Sequence, residues 1–158
     1  MKTILMLIFL LLTSVESRAL EIAKVVRVID GDTVKIQYGG KIETIRLIGV
    51  DTPELKQEYG KQAKEYLEEK VLNKNVTLEI DKKNLDFYSR KLRYVFISNE
   101  NINELIIREG YGLRSYVYPN KKYDKKFIEA EINARNKKLN IWSTGLKETP
   151  KEFRTKNK

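Results

Sequence analysis

Residues 22–48 read IAKVVRVIDGDTVKIQYGGKIETIRLI. Ile22 to Ile29 is rich in Val and Ile, the composition of a strand. Val34, Ile36 and Tyr38 alternate with Lys35 and Gln37, the period of two expected where one face of a strand is buried. Ile42, Thr44 and Arg46 alternate in turn with Glu43, Ile45 and Leu47. Gly39-Gly40 is a hairpin signal between the second and third runs, and Asp30-Gly31 is another between the first and second, because glycine tolerates positive φ. Three consecutive strands joined by tight turns therefore open the folded part of the chain.

Beyond Pro53, which lacks a ladder donor, the period changes. Tyr59, Ala63, Leu67 and Val71 recur four apart, predicting a helix over 59–72. Val76, Leu78 and Ile80 predict a fourth strand, and Leu92 to Ile97 a fifth. Asn101 with Glu104 three residues later is a capping-box spacing for a helix Ile102–Glu109 that Gly110 closes. Tyr123, Phe127, Ala130 and Ala134 mark a last amphipathic helix, and Trp142 reads as core. The fold class is α+β: a five-stranded antiparallel OB-fold β-barrel with three α-helices.

The 158 residues suffice for one domain. Residues 1–19 carry one lysine, an apolar run from Ile4 to Leu12 and small residues after it, the pattern of a signal peptide cleaved after Ala19. The run is too short for a spanning helix, although an uncleaved anchor at the cell surface is the other reading of the same residues. The domain is expected over 20–146, followed by a charged flexible tail over 147–158. The location implied is secreted, periplasmic or at the cell surface, with no stable membrane insertion after cleavage.

Lys and Arg total 31 against 22 Asp and Glu, a formal charge of +9, which favours anionic partners such as nucleic acid. Histidine and cysteine are both absent. Disulfides and thiolate or imidazole metal sites are thereby excluded, so a metal must be held by oxygen and must be a hard cation. A general base must be a carboxylate, a lysine or a tyrosine.

Three stretches carry candidate chemistry. In VIDGDTVKI, Asp30 and Gly31 fit a turn, whereas Asp32 follows it at a strand start and is a candidate metal ligand. An EF-hand counted from Asp30 would need glycine and glutamate where Lys35 and Lys41 stand, so that loop is excluded. In RLIGVDTPE, Asp51 fits an N-cap or Asx turn, while Arg46 lies in an apolar strand and needs an anionic partner. Arginine suits a phosphate there. In LDFYSRKLRYVF, Arg90 sits in the turn before the fifth strand and by itself reads as a solvated loop residue.

Together with YVYPN at 116–120 and KLNIWS at 138–143, these stretches resemble, in order, the staphylococcal-nuclease (thermonuclease) family over roughly residues 22–143. The resemblance implies a secreted Ca²⁺-dependent endonuclease that hydrolyses DNA and RNA, preferring single strands. It would cleave on the 5′-oxygen side to leave 3′-phosphates, and act as a monomer. It implies that Asp32, Asp51 and the Thr52 carbonyl hold Ca²⁺, that Glu54 is the general base, and that Arg46 and Arg90 bind the scissile phosphate. Tyr116 and Tyr118 would line the nucleotide pocket, with Tyr88 near the phosphates.

Three features depart from the family pattern. Ser89 stands where the family has glycine, Phe87 where it has lysine, and only Leu55 to Glu58 separate Glu54 from Tyr59. Serine is strained if position 89 needs positive φ, which would alter the placement of Arg90. A non-catalytic nucleic-acid-binding module of the same fold is the alternative reading.

Overall fold

The computed structural model describes residues 20–157. The expected signal peptide at 1–19 lies outside the described residues. Among the described residues eight strands form: β1 Glu21–Asp30, β2 Thr33–Tyr38, β3 Lys41–Leu47, β4 Val50–Asp51, β5 Asn75–Glu79, β6 Lys91–Ile97, β7 Glu100–Asn101 and β8 Leu113–Arg114. The helices are α1 Gly60–Val71, α2 Ile102–Arg108, α3 Asp124–Asn136, α4 Ile141–Thr144 and α5 Pro150–Lys156.

The main sheet runs β3-β2-β1-β5-β6-β7, and a further pairing of β3 with β6 closes β1, β2, β3, β6 and β5 into a barrel. The expected OB-type barrel is therefore present, with one change to its strand pattern. The closing pair β3–β6 is parallel, aligning Arg46 with Leu92, while the other barrel pairings are antiparallel. A hairpin cannot make a parallel pair, and α1 with β5 provides the long connection that one requires.

Val34 and Ile36, Ile45 and Leu47, and Val76 and Leu78 are buried in alternation, whereas β6 buries Leu92, Arg93, Tyr94 and Val95 in one run. In β1 the register shifts between Val25 and Arg27. That irregularity changes the phase, so Ala23 and Val25 face inward before it and Val28 after it, while Arg27 stays outside.

Helix α1 buries Ala63, Leu67 and Val71, and α3 buries Phe127, Ala130 and Ala134, both as their spacing predicts. Asn101 caps α2 by accepting from the Glu104 N–H at 3.2 Å. Two residues after the cap, the fully buried Asn103 donates to the carbonyls of Ile48 and Arg93 and accepts from the Val95 N–H, tying α2 to β6 and to the segment after β3.

Two expectations change. Trp142 is half-buried in α4 rather than in the core, with the Arg135 guanidinium 4.1 Å from its ring centroid. Residues 150–156, assigned from sequence to the charged tail, form α5. Its first turn is closed by Thr149 and Glu152 in a reciprocal capping box, with Pro150 at the start of the helix where its missing N–H costs nothing.

Candidate active site

The barrel topology gathers the candidate residues at one end. Register pairs Thr33 with Arg46 across β2 and β3, which puts Arg46 beside Asp32 at the β1–β2 turn. The parallel pairing of Arg46 with Leu92 brings the loop before β6, and with it Arg90, to the same end. Strand β4, anchored by β8 through Asp51 and Leu113, supplies Asp51 and leads into Thr52 and Glu54. A cleft of about 560 Å³ results, lined by Asp30, Asp32, Arg46, Thr52, Pro53, Glu54, Tyr88, Arg90 and Arg154.

The sharp corner in VIDGDTV has a different basis from that expected. Gly31 does not have a positive φ. A Cβ there would lie 2.7 Å from Thr52 Oγ1 and 2.8 Å from the Ala63 Cβ, so glycine is required by close packing of the turn against Thr52 and α1. Asp30 does act as turn chemistry: its carboxylate accepts from the Asp32 N–H at 3.0 Å.

Asp32 is buried and fully partnered. Its Oδ2 accepts from the Thr52 N–H at 2.9 Å and the Thr52 hydroxyl at 3.1 Å, and its Oδ1 from the Thr33 hydroxyl at 3.0 Å. Arg46 joins the two expected metal ligands. Its Nη2 lies 3.1 Å from Asp32 Oδ2 and 3.3 Å from Asp51 Oδ1. Its Nη1 donates to the carbonyls of Leu47 and Val50, both at 2.8 Å, which fixes the guanidinium plane. The anionic partner that an arginine in this strand needs is thus an aspartate pair.

These residues fit a hard cation in two respects. One cationic nitrogen already contacts Asp32 and Asp51 together, so two carboxylates from separate segments converge on a single point of positive charge. The corner also carries an excess of carboxylate: burial, and then the neighbouring charge of Asp32, push the Asp30 carboxyl up to about 6. Among the described residues no three acidic side chains close into a metal cage. A cation held by Asp32 and Asp51 would draw its other oxygens from backbone carbonyl and water, as hard cations do.

Arg90 is held by Asp86. Asp86 Oδ2 accepts from Arg90 Nε at 2.6 Å, and Oδ1 accepts from the N–H groups of Tyr88 and Arg90, each at 2.9 Å. The Arg90 guanidinium also lies over the Tyr88 ring, 5.5 Å from its centroid. Ser89 has φ 61°, so serine occupies the left-handed region that the departure from glycine put in question. Phe87 is 93% exposed and meets Tyr88 edge-on.

The short loop after Glu54 is a tight tuck. The Glu54 N–H donates to Gln57 Oε1 and the Glu54 carbonyl accepts from the Gln57 N–H, both at 2.8 Å. Tyr116 and Tyr118 follow β8 but do not line the cleft; they are 54% and 76% exposed. Their loop is anchored from below by the buried Asn120, whose amide bonds the Lys83 N–H and carbonyl.

Two residues of the site were not singled out in the sequence. Asp86 stood within a quoted motif without a role. Arg154 comes from α5: its Nη1 lies 3.1 Å from Asp51 Oδ1 and 2.8 Å from Glu54 Oε1, and its Nη2 lies 3.0 Å from Asp51 Oδ2. The T-P-K-E spacing at 149–152 could have flagged the helix start, but no local signal says where such a helix docks.

Residues 44–144 match the protein family described as staphylococcal nuclease homologue. The chain is 41% identical over 126 residues to a thermonuclease of Staphylococcus hyicus, covering 76% of this chain and 75% of that one. It is 41% identical over 122 residues to a thermonuclease of Staphylococcus intermedius, covering 73% of each. It is 42% identical over 125 residues to endonuclease YncB of Bacillus subtilis (strain 168), covering 74% of this chain and 59% of that one. The family match runs from within β3 through α4, including Arg46, Asp51, Glu54 and Arg90, and ends before α5. On that match and those identities, the chain belongs to the staphylococcal nuclease homologue family.

Proposed function

We propose that this protein is a nuclease that hydrolyses phosphodiester bonds of DNA and RNA with Ca²⁺ as cofactor, leaving 3′-phosphate products. The observation that carries the reading is the convergence of Asp32, Arg46, Glu54 and Arg90, from four separate segments, on one cleft. Relatives named thermonuclease and endonuclease support it.

Hydrolysis adds negative charge to a phosphate that is already anionic, so the site must supply fixed positive charge. Arg46 and Arg90 both line the cleft and do so, oriented by carboxylates: Asp32 and Asp51 for Arg46, Asp86 for Arg90. Asp32, Asp51 and the Thr52 carbonyl would hold Ca²⁺, which when bound supplies Lewis-acid charge beside a phosphate oxygen. Glu54 takes the proton of the attacking water, the water oxygen bonds to phosphorus, and the bond to the 5′-oxygen breaks, the departing 5′-oxygen taking up a proton from solvent. A carboxylate must serve as base because the chain has no histidine. Tyr88, at the cleft edge, and the exposed Tyr116 and Tyr118 offer stacking faces, which suits unpaired nucleotides. Export by the leader at 1–19 would deliver the enzyme outside the cell as a monomer.

The test is digestion of single-stranded DNA with Ca²⁺ and with EGTA. Digestion is expected with Ca²⁺, with 3′-phosphate ends, and is lost with EGTA. Undiminished cleavage in EGTA, or cleavage in neither condition, overturns the reading.

A further inference from the structure

Arg154 is the one cleft-lining residue contributed by the C-terminal helix. Its guanidinium takes both oxygens of Asp51 and one of Glu54, with all three hydrogen bonds between 2.8 and 3.1 Å. Paired, charge-assisted bonds of this kind are the strong class of arginine contact. The contact is also directed by more than one element. Gln57, whose side chain holds the Glu54 N–H, donates to the Glu148 carbonyl at 3.3 Å. The capping box of Thr149 and Glu152 then sets the helix that carries Arg154. The short loop after Glu54 and the C-terminal segment thus form one unit, with Lys56, Gln57 and Glu58 facing Leu146, Glu148 and Phe153 across a shallow groove.

Arg154 spans the carboxylate expected to hold the cation and the carboxylate expected to act as base. Asp51 has two oxygens, and Arg154 uses both, while Arg46 also reaches Oδ1. A cation on Asp51 must therefore take an oxygen that Arg154 occupies. A water placed for Glu54 meets the same guanidinium on Oε1. Arg154 is nevertheless partly exposed, with its side chain at 43%. Solvent already reaches it, and the screening keeps the pairing weak enough to be displaced.

We propose that Arg154 is a tethered competitor of the divalent cation: α5 lays it across Asp51 and Glu54, and cation binding at Asp51 releases it. This rests on the assignment of Asp51 as a ligand of Ca²⁺. The C-terminal helix then sets the cation concentration at which the site becomes competent, so that a chain meeting little Ca²⁺ keeps its base covered. Once released, the guanidinium stands at the cleft edge with Arg46 and Arg90, where a phosphate strand passes.

The experiment is calorimetric titration of the full chain with Ca²⁺ alone, in the wild type and in Arg154→Gln, with amide hydrogen exchange of residues 151–156 followed across the same titration. Removing a partly screened competitor is expected to tighten Ca²⁺ binding about three- to tenfold. Exchange across α5 in the wild type should quicken as Ca²⁺ saturates. Arg154→Lys, which keeps the charge but loses the paired geometry, should fall between. Ca²⁺ binding that is unchanged or weaker in Arg154→Gln, or exchange in α5 that ignores Ca²⁺, overturns the competition while leaving the cation site standing. Absence of Ca²⁺ binding in both proteins overturns the competition and the cation assignment together.

Discussion

The Asp86 carboxylate holds Arg90 at two points and Tyr88 at a third: it accepts Arg90 Nε at 2.6 Å and the backbone N–H groups of Arg90 and Tyr88, each at 2.9 Å. The loop 86–90 is therefore built around one carboxylate, and the arginine proposed to stabilise the reacting phosphate depends on it. Asp86→Asn keeps the shape but removes the charge. Because a misplacement of about 1 Å can cost roughly 10²-fold in rate, kcat should fall by about that factor with a smaller change in KM. An unchanged kcat would mean that Arg90 needs no such support.

The same residue makes a pH prediction. Burial raises the Asp86 carboxyl, but the N–H groups and the Arg90 guanidinium outweigh it, so its pKa lies below the ordinary value. With the folded pKa below the unfolded value of about 3.9, its stabilising contribution is present above pH ~4 and is lost as pH falls through the folded pKa. Asp86→Asn should accordingly lose less stability than the wild type between pH 5 and pH 2, measured by urea unfolding. Equal losses would remove Asp86 from the acid response.

Glu54→Gln should retain Ca²⁺ and nucleotide binding, because Asp32, Asp51 and both arginines are untouched, while kcat falls by about 10²–10⁴. Calorimetry and single-turnover kinetics on the same preparation separate the two. A variant that cleaves at the wild-type rate would dismiss Glu54 as the base.

Gly60 begins α1 directly beneath the turn that carries Glu54. A Cβ there would overlap the Glu54 carbonyl oxygen and crowd Leu55. Gly60→Ala must displace the base-bearing turn, which should cost about 1–3 kcal/mol of stability and at least tenfold in kcat. Gly40→Ala is the control: its φ is 77° and nothing lies within 4 Å. It should cost about 1–2 kcal/mol for the backbone with kcat unchanged. Equal effects of the two on kcat would show that the close approach at Gly60 is unimportant to the site.

What could be read in the chain depended on how local each cause is. The alternation of Val34 and Ile36 with Lys35 and Gln37, the four-residue spacing from Ala63 to Val71 and the Asn101–Glu104 cap are each decided within one element and form as predicted, while Tyr38 at the hairpin end is exposed. The parallel closure of β3 on β6 was hidden because its partners, Arg46 and Leu92, are joined through α1 and β5 rather than by a turn. Gly31 was misread for the same reason: its steric demand comes from Thr52 and Ala63, not from its own φ. Arg154 was the least legible, since its carboxylate partners lie 100 and 103 residues away and solvated charges surround it in the sequence. Motif residues could be named from the chain, but what holds them in place could not.

Ser89 offers a test of strain at the site. At φ 61° its side chain pays a penalty that glycine would not, roughly 1–2 kcal/mol for a left-handed residue. Glycine brings back about 0.5–1 kcal/mol of unfolded-state entropy. Ser89→Gly should therefore gain about 1 kcal/mol, seen as a higher urea midpoint at unchanged slope. The contacts that form the loop survive the change, because the Ser89 N–H still donates to the Asp86 carbonyl at 3.2 Å and Asp86 still holds Arg90. The rate should then stay within about twofold, because the geometry at Arg90 is set by Asp86 and not by residue 89. A stabilised variant with a much altered rate would instead make the strained serine part of how Arg90 is aimed. A variant with no gain in stability would show that this turn bears no strain at all.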